Sequence, residues 1–215
     1  MIISQGRRYA FVHIPKTGGT SLALALEARA MKDDIMLGDT PKALKRRRRF
    51  KDVKAAGRLW KHSTLADVDG LISTADLAGM FTFTMVRNPW DRAVSYYHWL
   101  RGQDFDHPAV TLAKALTFDS FLTTPETRAS LRDWPARRYM TDVNGEERCS
   151  AFIRLEYFAT DAAPLFDHLG FELTLSRSNA SERAAEYRDY YTPILRNIVA
   201  EDCAEDIARF AYQFE

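Results

Sequence analysis

Only two cysteines, Cys149 and Cys203, occur among 215 residues, too few for the disulfide framework on which small secreted folds rely. Each lies in an apolar-patterned stretch and is expected as a reduced core thiol. That points to the cytoplasm, although a chain without an export signal also fits a piece of a longer exported protein. Long apolar runs are missing as well. The longest stretches free of formal charge, Thr17–Leu26 and Leu77–Val86, run ten residues each, against the about 20 that a membrane-spanning helix needs. Arg7 and Arg8 precede an apolar run, but Lys16 and Gly18-Gly19 end it, so it reads as a buried strand entering a loop and not as a secretory signal. Eight prolines and ten glycines exclude collagen-like and Gly/Pro-rich low-complexity chains. A net charge of +1 with 46% apolar residues excludes disorder as the main state. What remains is one domain, residues 1–215, with a sizeable core and too little chain for two.

The small net charge hides an asymmetry. Ten basic residues lie in 42–61 (Lys42, Lys45, Arg46, Arg47, Arg48, Arg49, Lys51, Lys54, Arg58 and Lys61) against one acid, Asp52, so this window carries +9 and the rest of the chain −8. Such a concentration is a footprint for an anionic partner. A solvated helix face looks the same, and charge alone does not choose. Aromatics do not alternate through the window as a base-stacking platform requires, so nucleic acid is not the expected partner.

Short apolar runs alternate with amphipathic stretches, which predicts an α/β fold: three layers, with a central mostly parallel sheet flanked by helices. Tyr9–Ile14 reads as a strand buried on both faces, followed by a helix from Thr20 to Met31. Thr40-Pro41 reads as an N-cap with proline at the first helical position, starting a helix that runs through the basic window to near Gly57. Arg58–His62 reads as a short strand, and Thr64 to Asp67 has capping-box spacing with Asp for the usual Glu. Phe81–Val86 is a strand by its aromatic and β-branched alternation, broken by Asn88-Pro89 before a helix from Trp90 to Arg101. Cys149–Leu155 is a fourth strand leading to a helix that ends at Gly170. Thr192-Pro193 opens a closing helix with Ile194, Ile198, Ile207, Phe210 and Phe214 on one face.

Ligands of open α/β sheets bind at the carboxyl ends of strands. At the first such end stand Lys16, Thr17, Gly18, Gly19, Thr20 and Ser21. Glycines let backbone N–H groups approach an anion, the helix start adds positive potential, and Lys16 adds a full charge. The order differs from a Walker loop, because the lysine precedes the glycines; an ordinary strand-to-helix turn has the same shape. At the second, Arg87 ends a strand and Ser95 lies eight residues on, about two helical turns away. Guanidinium plus hydroxyl suits a phosphate group. Arg92 fits a surface pair with Asp91 or another acid.

Together these segments carry a resemblance. Residues 13–21 (His13-Ile14-Pro15-Lys16-Thr17-Gly18-Gly19-Thr20-Ser21) resemble the 5′-phosphosulfate-binding loop of sulfotransferases. Arg87-Asn88-Pro89-Trp90-Asp91-Arg92 through Ser95-Tyr96-Tyr97 resembles their 3′-phosphate-binding strand and helix. Lys61-His62-Ser63-Thr64, Ser178-Asn179-Ala180-Ser181 and the Tyr187-to-Thr192 stretch resemble the carbohydrate-type branch related to heparan sulfate 2-O-sulfotransferase. The Lys45–Lys51 run has no counterpart in that pattern. The resemblance implies a P-loop-like fold and 3′-phosphoadenosine-5′-phosphosulfate (PAPS) as sulfuryl donor, with no metal. It places Thr17 to Ser21 around the 5′-phosphate and Arg87 with Ser95 around the 3′-phosphate. Lys16 then neutralises charge on the leaving phosphate oxygen. The acceptor is a hydroxyl, an amine being the lesser fit, expected on a glycan or other hydroxyl compound and anionic if Arg46, Arg47, Arg48 and Arg49 line its entrance. A base is then needed. Among His13, His62, His98, His107 and His168, His62 is favoured by the resemblance, by its place at a strand's end and by an imidazole near its ordinary pKa. A nucleotide kinase or NTPase, and a non-catalytic polyanion-binding protein, are the alternative readings.

Overall fold

The computed structural model describes residues 1–175 and 186–215; the Ser178–Ser181 likeness lies outside the described residues. In chain order the elements are β1 (Ile2–Ser4), β2 (Tyr9–Val12), α1 (Gly19–Ala28), β3 (Ile35–Met36), α2 (Pro41–Arg46), α3 (Thr74–Ala78), β4 (Phe81–Val86), α4 (Pro89–Arg101), α5 (Pro108–Ala115), α6 (Phe118–Thr123), α7 (Pro125–Asp133), α8 (Ala136–Tyr139), β5 (Ala151–Arg154), α9 (Phe158–Asp161), α10 (Ala163–Leu169), α11 (Pro193–Asp202) and α12 (Ala204–Phe210). They fall into two compact units, residues 1–86 with 136–175 and residues 87–135 with 186–215.

The first unit is the mixed α/β layer. Its sheet runs β3-β1-β2-β4-β5. β2 pairs parallel with β4 and β4 with β5, while β1 lies antiparallel to β2 and to β3. Every residue of β2 is buried, as a strand covered on both faces requires. Phe11, Phe83, Met85 and Ile153 of the parallel strands pack with Leu22 and Leu26 of α1 and Leu165 of α10. Each such side chain contributes about 1.5–3 kcal/mol when fully buried.

Several boundaries differ from expectation. β1 and β3, three and two residues long, are too short to show a period, and both were missed. Arg58–His62 forms turns and no strand. The helix begun at Pro41 stops at Arg46 and tightens into a 3-10 turn over Arg47–Phe50; like charges three and four residues apart destabilise a helix. The closing helix breaks at Cys203 into α11 and α12. Ile194, expected on its inner face, is 72% exposed.

The second unit is helical. Asn88 caps α4 by accepting from Trp90 N at 3.1 Å and Asp91 N at 3.4 Å, and Thr192 caps α11 through Leu195 N at 3.3 Å. Asp202 is a buried carboxylate of this unit, held by Arg128 at 2.7 Å and Arg132 at 3.1 Å. No described helix is long and apolar enough to cross a membrane. Neither Cys149, which is half-buried and not in the core as expected, nor the buried Cys203 forms a disulfide, and burial pushes the Cys203 thiol up to about 12.

Candidate active site

β2 ends at Val12, and the chain turns through residues 13–18 into α1. Two residues of the turn have left-handed backbone, Lys16 with φ 66° and Gly18 with φ 81°. Thr17 closes it, its Oγ1 donating to the Ile14 carbonyl at 2.9 Å. A side chain at Gly18 would meet Leu155 Cδ1 at 2.7 Å and Met85 Cε at 3.4 Å, so the turn sits where β4 and β5 end. Gly19 is needed for another reason: a Cβ there would lie 2.2 Å from Cδ2 of His13. α1 opens with no acidic residue in its first turn, so its N-terminal N–H groups and dipole keep an uncompensated positive potential. Lys16, Thr17, Gly18, Gly19, Thr20 and Ser21 are thus brought together at one helix start.

His13 and His62 are 49 residues apart in sequence, and the fold joins them. His62 Nδ1 lies 2.7 Å from the His13 carbonyl oxygen, and the two rings meet edge-on at 4.7 Å. A carbonyl only accepts, so Nδ1 carries the proton and Nε2 keeps its lone pair. That is the tautomer a general base requires. Trp60 packs edge-on against the same imidazole at 5.0 Å, and the neighbouring Lys61 pairs with Asp39 at 2.6 Å. Thr64 and Asp67 form the reciprocal capping box, with N–H to side-chain distances of 2.7 and 3.1 Å, which locks the turn just after His62.

The ordinary imidazole pKa expected for His62 is corrected. Burial pushes it down to about 4; the Lys61 cation acts in the same direction, and the His13 carbonyl opposes them. His13 falls well below its usual value through burial and the nearby His62. Both rings are therefore neutral in the fold at physiological pH, while the unfolded chain protonates them below about 6.5. Stability consequently falls as pH drops from that value towards 4, and the base form of His62 persists over the same range. We expect kcat/KM to stay level from about pH 7 to about pH 5, with an acid limb near 4. A limb centred on the ordinary imidazole pKa in a pH–rate profile would show that some other group titrates.

The other histidines have structural partners. His98 packs between Tyr97 and Tyr190, His107 accepts from Ala109 N at the start of α5, and His168 bonds the Arg7 carbonyl and stacks on Phe81.

The arginine run is divided. Arg46 donates to the Asp34 carbonyl at 3.0 Å and Arg49 to the Lys32 carbonyl at 3.0 Å, tying this segment to the loop before β3. Glu27 of α1 holds the start of α2, accepting from Thr40 Oγ1 and from Lys42 N at 3.0 Å. Arg47 and Arg48 are exposed and line a cavity. No sequence period distinguishes the two pairs, because the accepting carbonyls of Lys32 and Asp34 lie 12 to 17 residues away in the chain.

In the second unit, Arg87 is oriented by Asp91, with Nε at 2.8 Å and Nη2 at 2.6 Å from the same carboxylate oxygen. Asp91 thus serves Arg87 at i,i+4 spacing. Ser95 is buried two turns into α4. Asn88 and Trp90 bond to the C-terminal segment through the Gln213 and Arg196 carbonyls, both at 3.0 Å. Tyr191 bonds the Trp90 carbonyl at 2.8 Å. Much of this motif's polar chemistry is thus structural. Among the described residues no group of three or more His, Cys, Asp or Glu is placed to hold a metal ion.

A lysine and a pair of glycines stand at a helix start beyond parallel strands, with a neutral histidine of fixed tautomer anchored on His13, and groups of this kind suit an anionic ligand. The chain belongs to the sulfotransferase family, whose model matches residues 1–213. The fold is similar to that in the crystal structure of mouse sulfotransferase SULT7A1 complexed with PAP. The TM-score is 0.51 and the identity 18%, over 93% of this chain and 83% of that chain. No curated protein matches the chain significantly.

Proposed function

We propose that this sulfotransferase moves a sulfuryl group from PAPS to a hydroxyl of its acceptor, with residues 1–215 working as one domain. One observation carries the reading: His62, with its free Nε2 lone pair, is anchored on the backbone of His13, and the His13 ring lies against Gly19 of the anion loop. Base and loop are parts of one local structure. The PAP in the mouse neighbour supports the choice of donor.

The residues then take defined roles. The backbone of residues 17–21 receives the 5′-phosphosulfate, and Arg87 with Ser95 receives the 3′-phosphate, as their motif order supports. His62 Nε2 takes the acceptor's O–H proton. The acceptor oxygen forms a bond to sulfur while the bond from sulfur to the bridging phosphate oxygen breaks. That electron pair leaves on adenosine 3′,5′-bisphosphate, where Lys16 and the start of α1 stabilise it. The Lys61-His62-Ser63-Thr64 likeness favours the carbohydrate-type branch and a glycan acceptor, and two cysteines outside any disulfide favour the cytoplasm.

The test is a calorimetric titration of the whole chain with adenosine 3′,5′-bisphosphate and with ATP. The bisphosphate is expected to bind much the tighter, and turnover to persist in EDTA, because Lys16 and the helix start supply the positive charge. Arg87→Ala is expected to weaken bisphosphate binding by roughly 1.5–3 kcal/mol, the range for hydrogen bonds to charged groups. ATP binding equally well would favour a nucleotide kinase or NTPase. Unchanged bisphosphate affinity in the variant would remove Arg87 from the site.

A further inference from the structure

The chain after α2 borders, with residues 36–38 and within the first unit, an open cavity of about 950 Å3 whose walls carry Arg47, Arg48, Lys51, Lys54, Lys61 and Trp60. Its other lining residues are apolar or glycine, and no aspartate or glutamate is among them. Lys61 is neutralised by Asp39. Arg47, Arg48, Lys51 and Lys54 make no ion pair among the described residues. Four uncompensated cations around one void repel each other, and an oxyanion placed among them relieves that repulsion. A volume of this size is at the upper end of small-ligand pockets, about 300–1,000 Å3.

The position of the cavity matters as much as its charge. Trp60, part of its wall, is the ring that packs on His62 at 5.0 Å. Gly38 and Lys61 also wall a second pocket of about 10 Å3 bounded by His13 and Thr20. The cavity thus shares Trp60 with the packing around His62, and Gly38 and Lys61 with the small pocket bounded by His13 and Thr20.

We propose that this cavity is the acceptor subsite and that it selects a hydroxyl compound bearing two or more carboxylate or similar oxyanion groups. The proposal rests on the sulfuryl-transfer reading for its choice of an acceptor. Arg47, Arg48, Lys51 and Lys54 hold the anionic groups, Trp60 gives a flat apolar wall, and the hydroxyl faces His62. Arg46 and Arg49 each give one N–H to a backbone carbonyl, so the test is made on Arg47 and Arg48.

The probes are trigalacturonate, a polyhydroxylated triacid, and uncharged maltotriose, titrated calorimetrically into the enzyme holding adenosine 3′,5′-bisphosphate. Trigalacturonate is expected to bind at least about tenfold tighter than maltotriose, and to lose affinity as salt rises from about 50 to about 300 mM. Arg47→Ser with Arg48→Ser is expected to weaken trigalacturonate about tenfold and flatten its salt dependence, as two lost partly exposed pairs imply. Bisphosphate affinity and melting temperature should not move. Should this double variant fail to fold, Lys51→Ser with Lys54→Ser makes the same test on the same cavity. Equal binding of the two saccharides, no binding of trigalacturonate, or unchanged trigalacturonate affinity in the folded variant would overturn the proposal. So would a loss that falls on the bisphosphate, which would assign these cations to the donor. Failure of the bisphosphate to bind the wild type would strike the donor reading alone, and the titration on the free enzyme then decides the cavity.

Discussion

Lys16→Ala is expected to lower kcat by roughly 10²–10³-fold, the usual effect of removing one preorganised charge-stabilising donor, while donor affinity changes far less. The charge matters most as the bond to sulfur breaks, when the leaving phosphate oxygen gains charge, so the loss belongs to the transition state. The backbone makes the variant interpretable. Lys16 has φ 66°, a left-handed conformation that costs a side-chain-bearing residue roughly 1–2 kcal/mol. Alanine bears that cost as lysine does, and the fold should tolerate the exchange. Lys16→Gly removes the same charge and relieves the strain, so it should be as inactive as Lys16→Ala and melt no lower than wild type. Rapid-quench measurement of a single turnover separates the step from product release. A single-turnover rate within a few-fold of wild type in both variants would exclude Lys16 from the transition state.

His62→Ala should cut the single-turnover rate by roughly 10²–10⁴-fold with donor binding intact, the share of a general base. Its more informative companion is His62→Asn. Asparagine can place an amide N–H near the position of Nδ1 and keep the bond to the His13 carbonyl, but it has no basic nitrogen. If His62 acts as the base, the two variants are equally slow, although His62→Asn is the more stable. If His62 only braces the loop, His62→Asn recovers most of the rate. In that case His13, buried and in contact with Gly19, is the next residue to replace.

Much of the frame was legible because its signals are local. Phe81–Val86 formed the strand its alternation predicted. Thr40-Pro41 and Thr192-Pro193 each began a helix. Gly170 ended α10 in the left-handed conformation that glycine adopts without strain. Thr64 and Asp67 closed a capping box even though the residues between them form turns and no α-helix. Each of these depends on residues within a few positions of one another. β1 and β3 show the limit, since two or three residues carry no period and exist as strands only through their neighbours in the sheet.

The sequence by itself determined the glycine-containing turn after Ile14, the order of the motifs and the concentration of positive charge in residues 42–61, all properties of short contiguous segments. Only the tertiary structure decided what those groups can do. It set the ring of His62 on the carbonyl of His13, and so selected the tautomer. It buried that ring and moved its pKa from the usual range to about 4. It turned Arg46 and Arg49 to backbone carbonyls and left Arg47 and Arg48 on a cavity. The physical reason is common to all three: a side chain's protonation, partners and solvent access depend on the atoms packed around it. Those atoms come from distant parts of the chain, where no local pattern records them.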